Sequence, residues 1–233
     1  MFERNTGGKG SSARARDGSE LLMGFNFAGA AAAAVKAGST AVCDINFLEI
    51  KPKDSHRRDN HINAYSLNEI KTKEAHLIYS EWLKIRDEPH IIRSLDYLRW
   101  RFENSPLRDY KFYNLKEGNM DLGYIILSLV ENAEGETIVS LDDFILKTMS
   151  PRAVIGAMAE VIEIEPDAVK IELLTKNGGA LEKSLRRLNI EPDPRYTMIL
   201  KQISGNESRG RASKVERGDL LHEDWHITSS DIY

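Results

Sequence analysis

The sequence predicts an α/β fold of the α+β kind: a mixed, mostly antiparallel sheet with helices on both faces. Three observations carry this. Residues 107–204 read β-β-β-α-β-α-β, and a three-strand meander followed by βαβ units builds a mixed sheet. Two helical stretches in that region carry boundary signals: Ser150, Pro151 and Pro166 around the first, and Asn177 ahead of the second. The 233 residues are 41% hydrophobic and 29% charged, enough to bury a sizeable core in a globular chain.

Taken in order, the first twenty residues are polar and rich in Gly, Ser and Arg. ELLMGFNF (20–27) reads as a buried strand. AGAAAAAVKAG (28–38) is a helix by its alanine content, stopped by Gly38. AVCDINFLEI (41–50) is a second strand, and KPKDSHRRDNH (51–61) a charged loop. From Leu67 the pattern turns helical, with Ala75, Ile78, Trp82 and Ile85 recurring three or four residues apart.

The stretch DYLRWRFENSPLRDY (96–110) mixes aromatics and arginines, which raises the question of nucleic acid. A base-stacking platform wants aromatics alternating on an exposed sheet. Here Leu95, Leu98 and Phe102 share a helical face, and Arg99 and Glu103 stand an i,i+4 step apart. The segment is therefore expected to be a solvated helix with Trp100 packed on a neighbour.

Beyond Pro106, strands are expected at 110–115 and 122–130, joined by a turn at Glu117-Gly118-Asn119, and at 136–147. A helix capped by Ser150 comes next, then a strand at 168–176, a helix with Leu181, Leu185 and Leu188 on one face, and a last strand at 196–204. The chain divides into an N-terminal segment (1–60), a linker and helix (61–92) and a larger module (93–233).

The bulk properties exclude several classes. A formal charge of −4 with 32 Lys and Arg shows no basic excess for nucleic acid or an acidic membrane. Cys43 is the only cysteine, so neither an internal disulfide nor a Cys-rich zinc site is available. No apolar run reaches the ~20 residues of a membrane span. The N-terminus lacks a signal-peptide core, and a cytoplasmic location is the expectation.

The element order resembles the GNAT family of acyl-CoA-dependent N-acyltransferases, in particular proteins with two consecutive modules. The phrase carried by Tyr97, Trp100, Arg101, Phe102, Pro106, Tyr110, Gly123 and Tyr124 resembles the opening of the second module in such proteins. Trp225, Thr228 and Asp231 resemble their C-terminal ending. In the first segment, Gly8 and Gly10 match the family's pyrophosphate loop, with Asn5 where Gln or Arg is usual. Gly24-Phe25-Asn26-Phe27 and Lys36-Ala37-Gly38 match the family's next strand end and helix end beyond that loop. The resemblance implies acetyl-CoA as co-substrate, a small-molecule primary amine as acceptor, and a first module shortened ahead of its loop. It also implies that Gly8, Lys9, Gly10 and Ser11 hold the pyrophosphate and that Asn177 is a second cofactor residue. A flexible N-terminus is the plainer reading of the same glycines, and an ordinary helix cap the plainer reading of Asn177.

The sequence departs from the family in chemistry. Ala34 and Ser184 stand where a general-acid Tyr is common, and Lys147-Thr148-Met149-Ser150-Pro151-Arg152 offers no glycine loop. Of Asp142 and Asp143, alternation along a strand lets only one face a substrate, and Asp143 is the candidate base. A catalytically inactive module that binds a ligand or scaffolds a partner is the competing expectation. His222-Glu223-Asp224-Trp225-His226 fits H-E-x-x-H, but it lacks a downstream third ligand and an apolar helical stripe, so no metal is expected. Gly7-Gly8-Lys9-Gly10-Ser11 is no triphosphate loop, because its Lys is not followed directly by Ser or Thr. A homodimer is compatible with the sequence and not specified by it.

Overall fold

A computed structural model of the chain describes residues 3–5, 11–14, 20–26, 28–52, 65–85, 90, 92–188, 190 and 192–203. Its strands are β1 (Glu3–Asn5), β2 (Ser11–Arg14), β3 (Glu20–Asn26), β4 (Thr40–Ile50), β5 (Tyr65–Glu69), β6 (Tyr110–Glu117), β7 (Met120–Glu131), β8 (Thr137–Leu146), β9 (Lys170–Lys176) and β10 (Asp193–Ile203). Its helices are α1 (Ala28–Lys36), α2 (Thr72–Trp82), α3 (Leu95–Leu98), α4 (Pro151–Ile164) and α5 (Ala180–Leu185). A π-helical turn, Arg99–Glu103, prolongs α3, and a 3-10 turn, Arg186–Leu188, prolongs α5. Among the described residues no helix is long and apolar enough to cross a membrane.

The strands form one sheet in the order β1-β2-β3-β10-β4-β9-β8-β7-β6-β5. Among the described strands only β8 and β9 run parallel; the other neighbours are antiparallel. The expected meander (β6–β8) and the βαβ crossover through α4 are present. The last strand does not lie beside β9: β4 stands between them, so strands from both ends of the sequence alternate.

Each face of the sheet carries a core. On one face, α4 and α5 bury Val154, Ala157, Met158, Val161, Leu181 and Leu185 against Leu48, Leu115, Ile125, Val139, Phe144 and Leu173. On the other, α2 and α3 bury Ala75, Tyr79, Trp82, Leu98 and Phe102 against Phe112, Tyr124, Ile126 and Ile145. The mixed sheet with helices on both faces is thus the architecture the sequence predicts. Local signals act as read: the Ser150 hydroxyl accepts the Ala153 N–H at 3.2 Å, with Pro151 in the first turn of α4. Gly38, at φ +89°, ends α1 in the left-handed conformation.

Three expectations are corrected. Residues 65–69 form a strand, where the helix was expected from Leu67; pairing with β6 overrides the local pattern, and α2 starts at Thr72. Ile85 lies beyond the end of α2 and is exposed, so the expected apolar stripe stops at Trp82. Trp100 is 60% exposed rather than packed into the body, because Leu98 and Phe102 on either side of it take the buried face. The Arg99–Glu103 pair forms as expected, at 3.6 Å.

Candidate functional site

The sheet opens between β8 and β9. Pairing runs only from Ile138↔Lys170 to Leu141↔Leu173, while β8 continues to Leu146 and β9 to Lys176. The two strands run parallel, so the opening lies at their carboxyl ends, where α/β sheets admit ligands. A β-bulge marks where it begins. Ile126 pairs with Asp143 and Leu127 with Leu141, which leaves Asp142 as the extra residue on β8.

The bulge changes which way the two aspartates point. Asp143 accepts from the Tyr124 hydroxyl at 2.7 Å, and Asp142 accepts from the Ser128 hydroxyl at 2.8 Å. Tyr124 and Ser128 lie four apart on β7 and share a face. Both carboxylates therefore face the α2/α3 side, contrary to simple alternation.

Asp143 is fully buried and committed. Arg93 donates to it from Nε at 3.1 Å and from Nη2 at 3.1 Å, and the Phe144 N–H donates at 3.1 Å. Its lone pairs are occupied by these groups and by Tyr124, so it anchors Arg93 to β8 instead of offering a free lone pair to an amine, as a base must. Burial, reinforced by the Asp143 charge, pushes the Tyr124 phenol well above its ordinary range, so the hydroxyl stays a donor. Asp142 sits by Ser128, Ser140 and Arg108, and burial pushes its carboxyl up to about 6 despite them. Trp82 closes this wall, its indole N–H donating to the Leu146 carbonyl at 3.1 Å.

The α4/α5 side is arranged differently. The Ser184 hydroxyl donates to the Met149 carbonyl at 3.1 Å, tying α5 to the turn after β8. Arg152 is drawn to Glu117 and over the Tyr65 ring. Asn177 is not the cap of α5: Gly179 holds that position. Asn177 instead directly follows β9, with its N–H donated to the Asp44 carbonyl at 2.8 Å and its side chain exposed. Asn46 of β4 donates to the buried Glu182 of α5, and Arg186 pairs with the same carboxylate at 2.8 Å.

In the first segment, Ser11 opens β2 opposite Met23, so it stands in a strand and not at a helix N-terminus. Gly8, Lys9 and Gly10 lie outside the described residues, as do His222, His226, Trp225, Thr228 and Asp231. Ala34 is half-buried on α1. Cys43 has its thiol pushed up to about 11 by burial, which makes it a poor nucleophile. Among the described residues no group of three or more His, Cys, Asp or Glu is placed to hold a metal.

Sequence reasoning missed Arg93, Tyr124 and Lys176 as residues flanking the opening. A signal existed for Arg93, a lone cation directly after the apolar pair Ile91-Ile92. None existed for Lys176, whose position depends on where β8 leaves β9.

The sequence matches no family model and no curated protein. Solved structures do match in three dimensions. A GCN5-related N-acetyltransferase from Anabaena variabilis aligns over 80% of this chain and 46% of its own, with TM-score 0.58 and 15% identity. The fold is that of the GCN5-related N-acetyltransferases. Another, from Sphaerobacter thermophilus, aligns over 79% of this chain and 60% of its own, with TM-score 0.50 and 13% identity. A conserved Enterococcus faecalis protein described as a probable N-acyltransferase aligns over 77% and 45%, with TM-score 0.57 and 12% identity. The chain thus spans about half the length of these GNAT-fold structures. The likeness is one of fold.

Proposed function

We propose that the chain is an acyl-CoA-dependent N-acyltransferase module that transfers an acetyl group to a primary amine of a small molecule or sugar. The observation that carries this reading is the opening between parallel β8 and β9 after the Leu141↔Leu173 pair, in a sheet with the GNAT fold. Acetyl-CoA enters as a substrate. The amine attacks the thioester carbonyl, a C–N bond forms, the C–S bond breaks, and the proton lost by the amine ends on the CoA thiolate. The wall built by β7 and β8 supports the positioning half of this task, because Arg93 holds Asp143 and Asp143 in turn holds the Tyr124 hydroxyl.

The N-terminus of α4 fits a pyrophosphate poorly. Pro151 removes one N–H and Ser150 already satisfies that of Ala153. Gly8, Lys9, Gly10 and Ser11 remain the proposed pyrophosphate residues, with Asn177 at the mouth of the opening.

A second reading, a non-catalytic module that binds a ligand or scaffolds an intact acyltransferase, is favoured by one observation. The Ser184–Met149 hydrogen bond joins the two segments that flank the opening and occupies the hydroxyl standing at the general-acid position.

Thermal shift with acetyl-CoA, followed by intact-mass detection of acetyl addition to aminosugars and polyamines, separates the two. Stabilisation that disappears in Gly10→Glu, with acetylated product, is the expected result. Absence of any shift at millimolar acetyl-CoA sinks the enzymatic reading in favour of the second.

A further inference from the structure

Where two parallel strands separate, the main-chain groups on their facing edges lose their partners, and buried groups of that kind must be satisfied elsewhere. The opening shows how this is done. The Lys147 N–H donates to the Leu122 carbonyl of β7 at 2.7 Å, so the Leu146 carbonyl, in the same peptide unit, points away from β7 and towards the gap. It accepts from the Trp82 indole N–H at 3.1 Å. The Phe144 N–H, two residues back along β8, points the same way and donates to Asp143 Oδ1 at 3.1 Å. On the other edge, the Asn177 N–H donates to the Asp44 carbonyl of β4, which turns the Lys176 carbonyl towards the gap. There the Gly179 N–H donates to it at 3.0 Å. Local partners thus stand in for the ladder that β8 and β9 give up after Leu141↔Leu173.

Asp143 and Gly179 are near neighbours in sequence of the groups they serve. Trp82 is not: it is the last residue of α2 and reaches β8 across 64 positions of chain. Its ring is fixed in place. It is fully buried, stacks on Tyr79 with centroids 5.9 Å apart, and meets the His90 ring edge-on at 4.9 Å. The Tyr79 hydroxyl and His90 Nε2 are in turn hydrogen-bonded at 2.8 Å. Leu146 is fully buried too, so water does not offer its carbonyl an alternative donor.

We propose that Trp82 is a positioning residue: its indole N–H holds the end of β8 apart from β9, so that the opening is preformed and needs no ligand to part the strands. Without that N–H, the Leu146 carbonyl regains a partner by returning to the β9 edge, and the ladder extends past Leu173. The strut does not depend on the acyltransferase reading; the ligand part of its test does.

In the test, Trp82 is replaced by 3-benzothienylalanine, which keeps the fused ring and lacks the N–H, and separately by Phe. Amide hydrogen exchange at Lys176, whose N–H faces the gap, is followed by NMR relative to amides in the intact β8/β9 ladder. Acetyl-CoA affinity is measured on the same samples by calorimetry. In the isostere, exchange at Lys176 is expected to slow roughly fivefold, about the worth of one net hydrogen bond, and acetyl-CoA to bind more weakly. Trp82→Phe is expected to move both in the same sense, at a lower Tm because it also removes ring volume. Unchanged or faster exchange at Lys176 in the isostere overturns the proposal. That includes a lowered Tm with the exchange unmoved, which is what a purely structural Trp would give. Slowed exchange with undiminished acetyl-CoA binding overturns the positioning role as well. Slowed exchange with no acetyl-CoA binding by the parent leaves the strut standing and counts only against the acyltransferase reading.

Discussion

At the residue scale, the bulge at Asp142 has the widest consequences. It turns two adjacent carboxylates to the same face and gives them opposite fates: Asp143 is neutralised by Arg93, while Asp142 is held among hydroxyls with Arg108 at 3.6 Å. Burial raises the folded Asp142 carboxyl from 3.8 to about 6. Between those values the folded state holds a proton that the unfolded state has released, so stability falls as pH rises. The contribution is complete below 3.8 and is lost as pH passes about 6. Urea unfolding of the parent and of Asp142→Asn at several pH values measures this. The parent is expected to lose stability relative to the variant between about pH 4 and pH 7, by roughly 3 kcal/mol at most. A flat difference would mean that the carboxylate is ionised without penalty in the fold.

At the element scale, β7 and β8 approach each other so closely at one point that only glycine fits. A Cβ on Gly123 would overlap the Ile145 carbonyl oxygen and lie 2.9 Å from the Leu146 Cα, both backbone atoms that cannot swing away. Gly123 also precedes Tyr124, whose hydroxyl must reach Asp143, so the two residues form one structural unit at the edge of the opening. Gly123→Ala is expected to push β8 off β7 and destabilise by roughly 3 kcal/mol or more. Denaturant titration checks this, and a loss under about 1 kcal/mol would show that the ladder yields at that point. The family resemblance picked out Gly123-Tyr124 as a phrase; its physical reason is this close approach and the buried hydroxyl. The missed strand β5 belongs to the same scale. YSLNE has no strong strand signal of its own and is ordered by pairing with β6, with Tyr65 lying over Gly156 of α4.

At the scale of the whole molecule, the strand order is the main finding. β4 comes from the first fifty residues and separates β9 from β10, and β10 in turn lies between β4 and β3. Residues 93–233, expressed alone, would leave β9 with an open edge and β10 with no neighbour. That fragment is expected to show no cooperative melt by circular dichroism, and adding the separate 1–92 fragment is expected to restore one. A sharp melt of 93–233 by itself would show that the interleaving is not needed for folding.

Most of the elements and the class of fold were legible in the residues themselves. Pro and Ser at the start of α4, Gly38 after α1, the turn at Gly118 and the alternation along β7 and β8 are local signals, written within a few residues of where they act. The pairing order, the bulge, the side on which Asp142 points, and the placement of Lys176 beside an opening emerged only when the chain was assembled in three dimensions. Each depends on which distant strand arrives alongside. A single-residue shift in register reverses every side chain beyond it, and nothing local to the sequence records that shift.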